Sequence, residues 1–121
     1  MHWVDPTHWE NDRESFIAAF DHWKADWESM NTERYLANYA PDFPGRTAWA
    51  AHKRKVALGQ SWIKVGVSDL SVFAYPDQRD LMMVTFAQDY RTDNVSRRTL
   101  KRQFWAREGG RWRIVHEAAI S

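Results

Sequence analysis

Residues 86–117 read FAQDYRTDNVSRRTLKRQFWAREGGRWRIVHE, and the fold turns on how this stretch is parsed. Three runs of β-type residues are separated by two turn signals, Asp93-Asn94 and Glu108-Gly109-Gly110. That pattern predicts a three-stranded antiparallel meander. A two-residue turn at Asp93-Asn94 pairs Tyr90 with Arg97 and Phe86 with Lys101. A three-residue loop over Glu108-Gly109-Gly110 pairs Arg107 with Arg111, Trp105 with Arg113 and Lys101 with Glu117. In that register Phe86, Gln88, Tyr90, Lys101, Gln103, Trp105 and Glu117 share one face, because a one-residue slip would turn each to the other side.

Upstream, a fourth strand is expected over about Ile63 to Tyr75. Ile63, Val65 and Val67 alternate with polar residues, but Leu70 and Val72 have the opposite parity, so a bulge belongs near Ser68-Asp69. The second strand is expected from about Leu81 to Arg91, after a turn over Pro76 to Asp80. Three helices precede the strands. The first spans about His8 to Ser29, with Asp5-Pro6 and a Thr7/Glu10 capping box as competing starts. Phe16, Phe20, Trp23 and Trp27 recur on one face of it, and Asp12, Asp21, Asp26 and Glu28 are read as solvated. A second, capped by Asn31-Thr32, buries Tyr35, Leu36 and Tyr39 and ends at Pro41. A third runs from about Thr47 to Leu58, capped by Gly59, with Trp49, Lys53, Val56 and Ala57 on one side. The fold class is therefore α+β: three N-terminal helices packed on a strongly curved four-stranded antiparallel sheet, a cone whose open end suits a pocket.

The 121 residues suit one domain, 1–121, and include eight Trp, six Phe and four Tyr, enough for a core and a ring-lined groove. Net charge is +1, but residues 1–45 hold nine acids and three bases while 46–121 hold fourteen bases and seven acids. An acidic helical layer against a basic sheet follows, and a basic sheet face attracts carboxylates. There is no Cys, hence no disulfide, thiolate metal site or cysteine nucleophile. The His-Lys-Arg-Lys run at 52–55 lacks any nucleic-acid motif and reads as a solvated face. No histidine spacing suggests a metal, no cofactor motif is present, and no apolar run is long enough to span a membrane. Met1 leads straight into Asp5-Pro6, so no signal peptide is read.

The ordered set Trp23-x-x-x-Trp27, Tyr35-x-x-x-Tyr39-x-Pro41-Asp42-Phe43, Trp49-x-x-x-Lys53, Ile63-x-Val65, Asp69-Leu70, Phe86-x-Gln88-x-Tyr90, Lys101-x-x-x-Trp105 and Gly110-x-Trp112-x-Ile114-x-x-Glu117 carries a resemblance. Over about residues 20 to 117 the chain resembles the nuclear-transport-factor-2-like (NTF2-like) domain found beside the catalytic domain of YafK-type bacterial L,D-transpeptidases and L,D-carboxypeptidases, which act on peptidoglycan. Thr92 and Val95 depart from that family, which often has Ser and an aromatic there. The resemblance implies an accessory domain of a periplasmic or cell-envelope protein, or a cytoplasmic free-standing relative. Its chemistry needs a cysteine thiolate that this chain lacks, so a separate catalytic domain or subunit is implied.

Two functions are carried forward. The first is a non-catalytic ligand-binding or positioning domain for a peptidoglycan stem peptide or other small carboxylate-bearing ligand, lined by Tyr39, Trp49, Lys53, Gln88, Tyr90, Lys101, Trp105 and Glu117. The second is a small-molecule isomerase, dehydratase or cyclase, since the same fold resembles ketosteroid isomerase and polyketide cyclases. That chemistry needs a buried carboxylate base and a phenol, and Asp42, Asp69, Asp89, Tyr39 and Tyr90 are its candidates. A homodimer through the outer sheet face is a further expectation.

Overall fold

A computed structural model describes residues 6–120. Helix α1 spans Pro6–Glu28, α2 Thr32–Leu36 and α3 Arg46–Leu58, followed by β1 (Ile63–Tyr75), β2 (Gln78–Thr92), β3 (Ser96–Glu108) and β4 (Arg111–Ala119). The strands form one antiparallel sheet in the order β1-β2-β3-β4. The helices pack on its concave face, as the α+β cone requires.

Helix α1 begins at Pro6 and passes through Thr7, so the Thr7/Glu10 pair does not start it; Asp5 lies outside the described residues. The aromatic stripe of α1 is core as expected: Phe16, Phe20, Trp23 and Trp27 are all buried. Their rings interlock with the sheet, Phe20 edge-on to Phe86 at 5.2 Å and Phe16 edge-on to Trp105 at 5.4 Å. Such aromatic pairs add stabilisation beyond their buried area.

Three of the four α1 acids read as solvated are not. Asp12 is buried and accepts from Arg79 Nε at 2.9 Å and Arg107 Nη1 at 3.1 Å. Asp26 is buried against Arg34 and Asn38, and Glu28 Oε2 accepts from the Val65 amide at 2.9 Å. Only Asp21 of the four is exposed. Helical periodicity marks these positions as off the apolar stripe, but long arginines reach over the helix edge to meet two of them, Arg79 of β2 and Arg107 of β3 at Asp12 and Arg34 of α2 at Asp26. This is the contact between acidic layer and basic sheet that the charge asymmetry implied.

Helix α2 is capped by Asn31, whose Oδ1 accepts from the Arg34 amide at 3.2 Å. It ends at Leu36, well before Pro41. The backbone from Asn38 to Ala40 instead runs beside β4: the Ile114 amide donates to Asn38 O at 2.7 Å, and the Ala40 amide to Ile114 O at 2.8 Å. Two strong sheet-type bonds outcompete one more helical turn, and they fix Tyr39 over the sheet. Arg46, at the start of α3, donates to the carbonyls of Leu36, Tyr39 and Ala40 and so ties α3 to the segment that follows α2.

The Asp93-Asn94 register is as read: Tyr90 faces Arg97 and Phe86 faces Lys101. A register shift between Ser68 and Ser71, with Asp69 at φ +53°, is the expected bulge in β1. The β3–β4 register differs. Gly109 and Gly110 alone form the turn, at φ +57° and +77°, so Glu108 pairs with Arg111, Arg107 with Trp112 and Trp105 with Ile114. Both central residues take positive φ, which two consecutive glycines allow without strain. A second shift follows between Phe104 and Trp105, after which Gln103 faces Glu117 and Lys101 faces Ala119. The bulge at Val115 restores the parity that the shorter turn removes. Glu117 therefore stays on the inner face, two residues from the position opposite Lys101.

Candidate functional site

The inner face of β2 and β3, the end of α1 and one side of α3 enclose a cleft of about 810 Å³. Gln88, Tyr90, Arg97 and Lys101 line its sheet side, Trp27 and Met30 its α1 side, and Lys53, Val56 and Ala57 its α3 side. Asn94 closes the rim, where its Nδ2 donates to the Gly59 carbonyl at 2.9 Å; Asp93 accepts from the Ser61 amide at 3.2 Å. The β2–β3 turn thus pins the end of α3 at a set distance from the sheet. Thr92 Oγ1 accepts from the Asn94 and Val95 amides, both at 3.0 Å, and so holds this turn.

Trp27 is the centre of the aromatic wall. It stacks on Tyr35 at 5.2 Å and 28° and on Tyr90 at 5.0 Å and 22°. Two ammonium groups lie within cation–π range of its ring, Lys53 Nζ at 5.0 Å and Lys101 Nζ at 5.3 Å. Lys53 also lies 5.8 Å from Tyr35 and 5.9 Å from Trp49. A smaller cleft of about 280 Å³, between Phe43, Pro44, Trp49 and the end of β4, shares Lys53 and Lys101 with the larger one.

The two lysines are electrostatically unlike. Lys101 Nζ donates to Glu117 Oε1 at 2.8 Å, and the Tyr39 hydroxyl donates to Glu117 Oε2 at 2.7 Å. Gln103 Nε2 adds a weak 3.4 Å contact, and Gln103 Oε1 accepts from Trp105 Nε1 at 2.9 Å. Burial alone would raise the Glu117 carboxyl, but the Lys101 charge and these donors together hold it below its ordinary value. Lys53 has no carboxylate partner among the described residues. Burial, and then the neighbouring Lys101 charge, lower its ammonium to about 8.

Tyr39 Oη also accepts from Trp23 Nε1 at 3.1 Å and lies 3.1 Å from Tyr35 Oη. Because the Tyr39 O–H is donated to Glu117, Tyr39 is the acceptor and Tyr35 the donor in the tyrosine pair. Burial first, and the Glu117 charge second, push both phenols well above their ordinary value. This network is fully directed and locks Glu117 in place. Gln88 is the contrast. It is buried at the cleft wall, and its Oε1 has no hydrogen-bond partner among the described residues. A buried acceptor left open costs roughly 1–3 kcal/mol, which marks a place where a ligand donor would compensate.

Of the residues singled out in the sequence, Lys53, Gln88, Tyr90 and Lys101 line the large cleft, and Trp49 and Glu117 the small one. Tyr39 is buried behind them, joined to Glu117. Trp105 lines neither cleft; it is fully buried against Phe16 and Phe20, because its neighbours on the concave face are the α1 rings. Sequence reasoning missed Trp27 and Tyr35 as cleft residues by assigning them to the core, and Arg97 altogether. The basic run at 52–55 also splits, for Lys53 turns inward while Arg54 pairs with Glu33 at 2.8 Å. The acids proposed for an isomerase do not converge on the cleft: Asp42 and Asp69 are exposed, and Asp89 pairs with Arg98 at 3.1 Å.

With this geometry, the chain belongs to the NTF2-like proteins. Residues 15–118 match the Cds6 C-terminal NTF2-like domain family. Among solved structures it is similar to Bd1075 of Bdellovibrio bacteriovorus, with TM-score 0.82 and 22% identity over 96% of this chain. It is also similar to a mutant form of the helical cell shape determining protein Pgp2 from Campylobacter jejuni, with TM-score 0.79 and 22% identity over 88% of this chain. This chain spans 42% and 40% of those two proteins. A Streptomyces avermitilis protein of the NTF2-like family, provisionally described as a dehydratase, matches at TM-score 0.75 and 14% identity, covering 91% of this chain and 95% of its own. Identities this low establish the fold. No curated protein matches this chain by sequence. No helix among the described residues is long and apolar enough to cross a membrane.

Proposed function

We propose that this domain binds a small carboxylate-bearing ligand, a peptidoglycan stem peptide foremost, without turning it over. It holds that ligand for a catalytic domain or subunit of the L,D-transpeptidase or L,D-carboxypeptidase class in the bacterial cell envelope. The observation that carries this reading is Lys53, an ammonium without a carboxylate partner among the described residues, held among three rings at the wall of an open cleft. Lys101 and the exposed Arg97 line the same cleft, so a ligand carboxylate would meet converging positive charge. The sequence resemblance to the domain beside YafK-type catalytic domains supports the cell-wall setting. So does the structural likeness to a cell shape determining protein.

The isomerase or cyclase alternative needs a buried carboxylate free to take a proton. Asp26 and Glu117 are the buried carboxylates at the two clefts. Asp26 is bound by Arg34 and Asn38, Glu117 by Lys101 and Tyr39. Neither is free to act as a base, which favours binding over turnover.

Isothermal titration with a disaccharide-tetrapeptide and with its C-terminal amide tests the reading. A charge-assisted contact is typically worth about 1.5–3 kcal/mol, so the free acid should bind roughly ten-fold or more tighter. Lys53→Met should remove that preference. Equal affinities for acid and amide would contradict the proposal.

A further inference from the structure

Lys53 differs from every other lysine of the chain in one combination of features. Its Nζ sits over Trp27 at 5.0 Å with Tyr35 and Trp49 within 6 Å, it lines both clefts, and it has no carboxylate partner among the described residues. Lys101, by contrast, is committed to Glu117 at 2.8 Å. Lys55 and Lys64 are exposed, where water stabilises the ammonium form. A lysine amine becomes nucleophilic where burial and a neighbouring cation disfavour its protonated form; at Lys53 burial and the Lys101 charge outweigh the Glu117 charge, which acts the other way.

We propose that Lys53 is a carbonyl-reactive amine that captures small 2-oxo acids as a reversible imine in this cleft. The carboxylate of such a compound would face Arg97, on the same cleft wall as Lys101, while its carbonyl carbon meets Lys53 Nζ. The nitrogen lone pair forms the C–N bond as the carbonyl π pair moves onto oxygen, and the proton passes from nitrogen to that oxygen. The resulting hydroxyl leaves as water with a proton from the Lys101 ammonium, giving the iminium; Lys101 then recovers a proton from solvent. No electrons are exchanged with any other group, and hydrolysis by the same path releases the oxo acid. Glu117, held by Tyr39, keeps Lys101 in place for the proton transfer. The capture is stoichiometric, and it is independent of whether a stem peptide binds: either property can fail without the other.

The test treats the full chain with glyoxylate and sodium cyanoborohydride near pH 8, then maps carboxymethylated lysines by peptide mass spectrometry over time. Lys53 should be modified at least ten-fold faster than Lys55 or Lys64. With propanal, which lacks the carboxylate, its lead should fall several-fold. Lys53→Arg should remove this fast-forming adduct and leave the slow ones unchanged. Modification that simply follows exposure, led by Lys55 and Lys64, would overturn the proposal, and because this is read on the unsubstituted protein it does not depend on any variant folding. An undiminished Lys53 lead with propanal would overturn the oxo-acid assignment.

Discussion

The Tyr39 hydroxyl donates to Glu117 Oε2 at 2.7 Å across 78 positions of sequence, tying the segment after α2 to the last strand. That bond leaves Glu117 ionised and Lys101 fixed beside the cleft. Tyr39→Phe removes a donor from a buried carboxylate and should cost about 1–3 kcal/mol near neutral pH. Because the folded Glu117 carboxyl lies below its ordinary value of 4.5, its stabilisation is present above that value and lost as pH falls through the folded one. The gap between wild type and variant in urea denaturation should therefore be full at pH 7 and shrink in acid. A gap that stays constant down to pH 3 would mean that Glu117 is not the partner through which Tyr39 acts.

Trp23 has no exposed surface, contacts Phe20, Trp27 and Phe86, and donates its indole N–H to Tyr39. Trp23→Ala should cost roughly 3–5 kcal/mol, the usual range for emptying a buried Trp site. Denaturant midpoints measure it directly. A loss below about 1 kcal/mol would be incompatible with α1 packing on the sheet through this stripe.

Lys53 should oppose stability. Its folded value of about 8 lies below the unfolded 10.5, so the unfolded chain binds that proton more tightly and folding carries a penalty wherever Lys53 is charged. Lys53→Met keeps the length and removes the charge. After the loss of cation–π contacts it should gain about 1–2 kcal/mol at pH 7. The gain should be full below pH 8 and decline between about 8 and 10.5, where wild type recovers stability as Lys53 loses its proton. The same variant should lose affinity for a carboxylate ligand, the trade-off expected of a binding residue. A destabilised Lys53→Met would show instead that the lysine is a structural group.

Much of this architecture was legible in the sequence because local rules and burial agree. Asp93-Asn94 gave the β2–β3 register directly, and the parity break at Ser68-Asp69 gave the bulge in β1. What escaped depends on contacts between distant segments. The turn at Gly109-Gly110 is one residue shorter than read, and the compensating bulge at Val115 has no glycine or proline to announce it. Tyr39 leaves the helix because its neighbours Asn38 and Ala40 bond the backbone of Ile114, far away in sequence, which periodicity cannot reveal. Asp12 looks solvated until Arg79 and Arg107 arrive from the sheet. In the cleft, residue types flagged Lys53, Gln88 and Lys101. Only the packing sets Lys101, paired with Glu117, apart from Lys53 and places Trp105 in the core.

The central claim is that the cleft between α3 and the inner face of β2–β3 receives a carboxylate-bearing ligand. Amide chemical shifts followed during titration of wild-type protein with a disaccharide-tetrapeptide test this most directly. The account predicts saturable shifts at Lys53 and its helical neighbours and at Gln88, Tyr90, Arg97 and Lys101, and their loss in Lys53→Met while that variant remains folded. Saturable shifts confined to the outer sheet face, around Phe73, Met83 and Phe104, or no shifts at all, would contradict it.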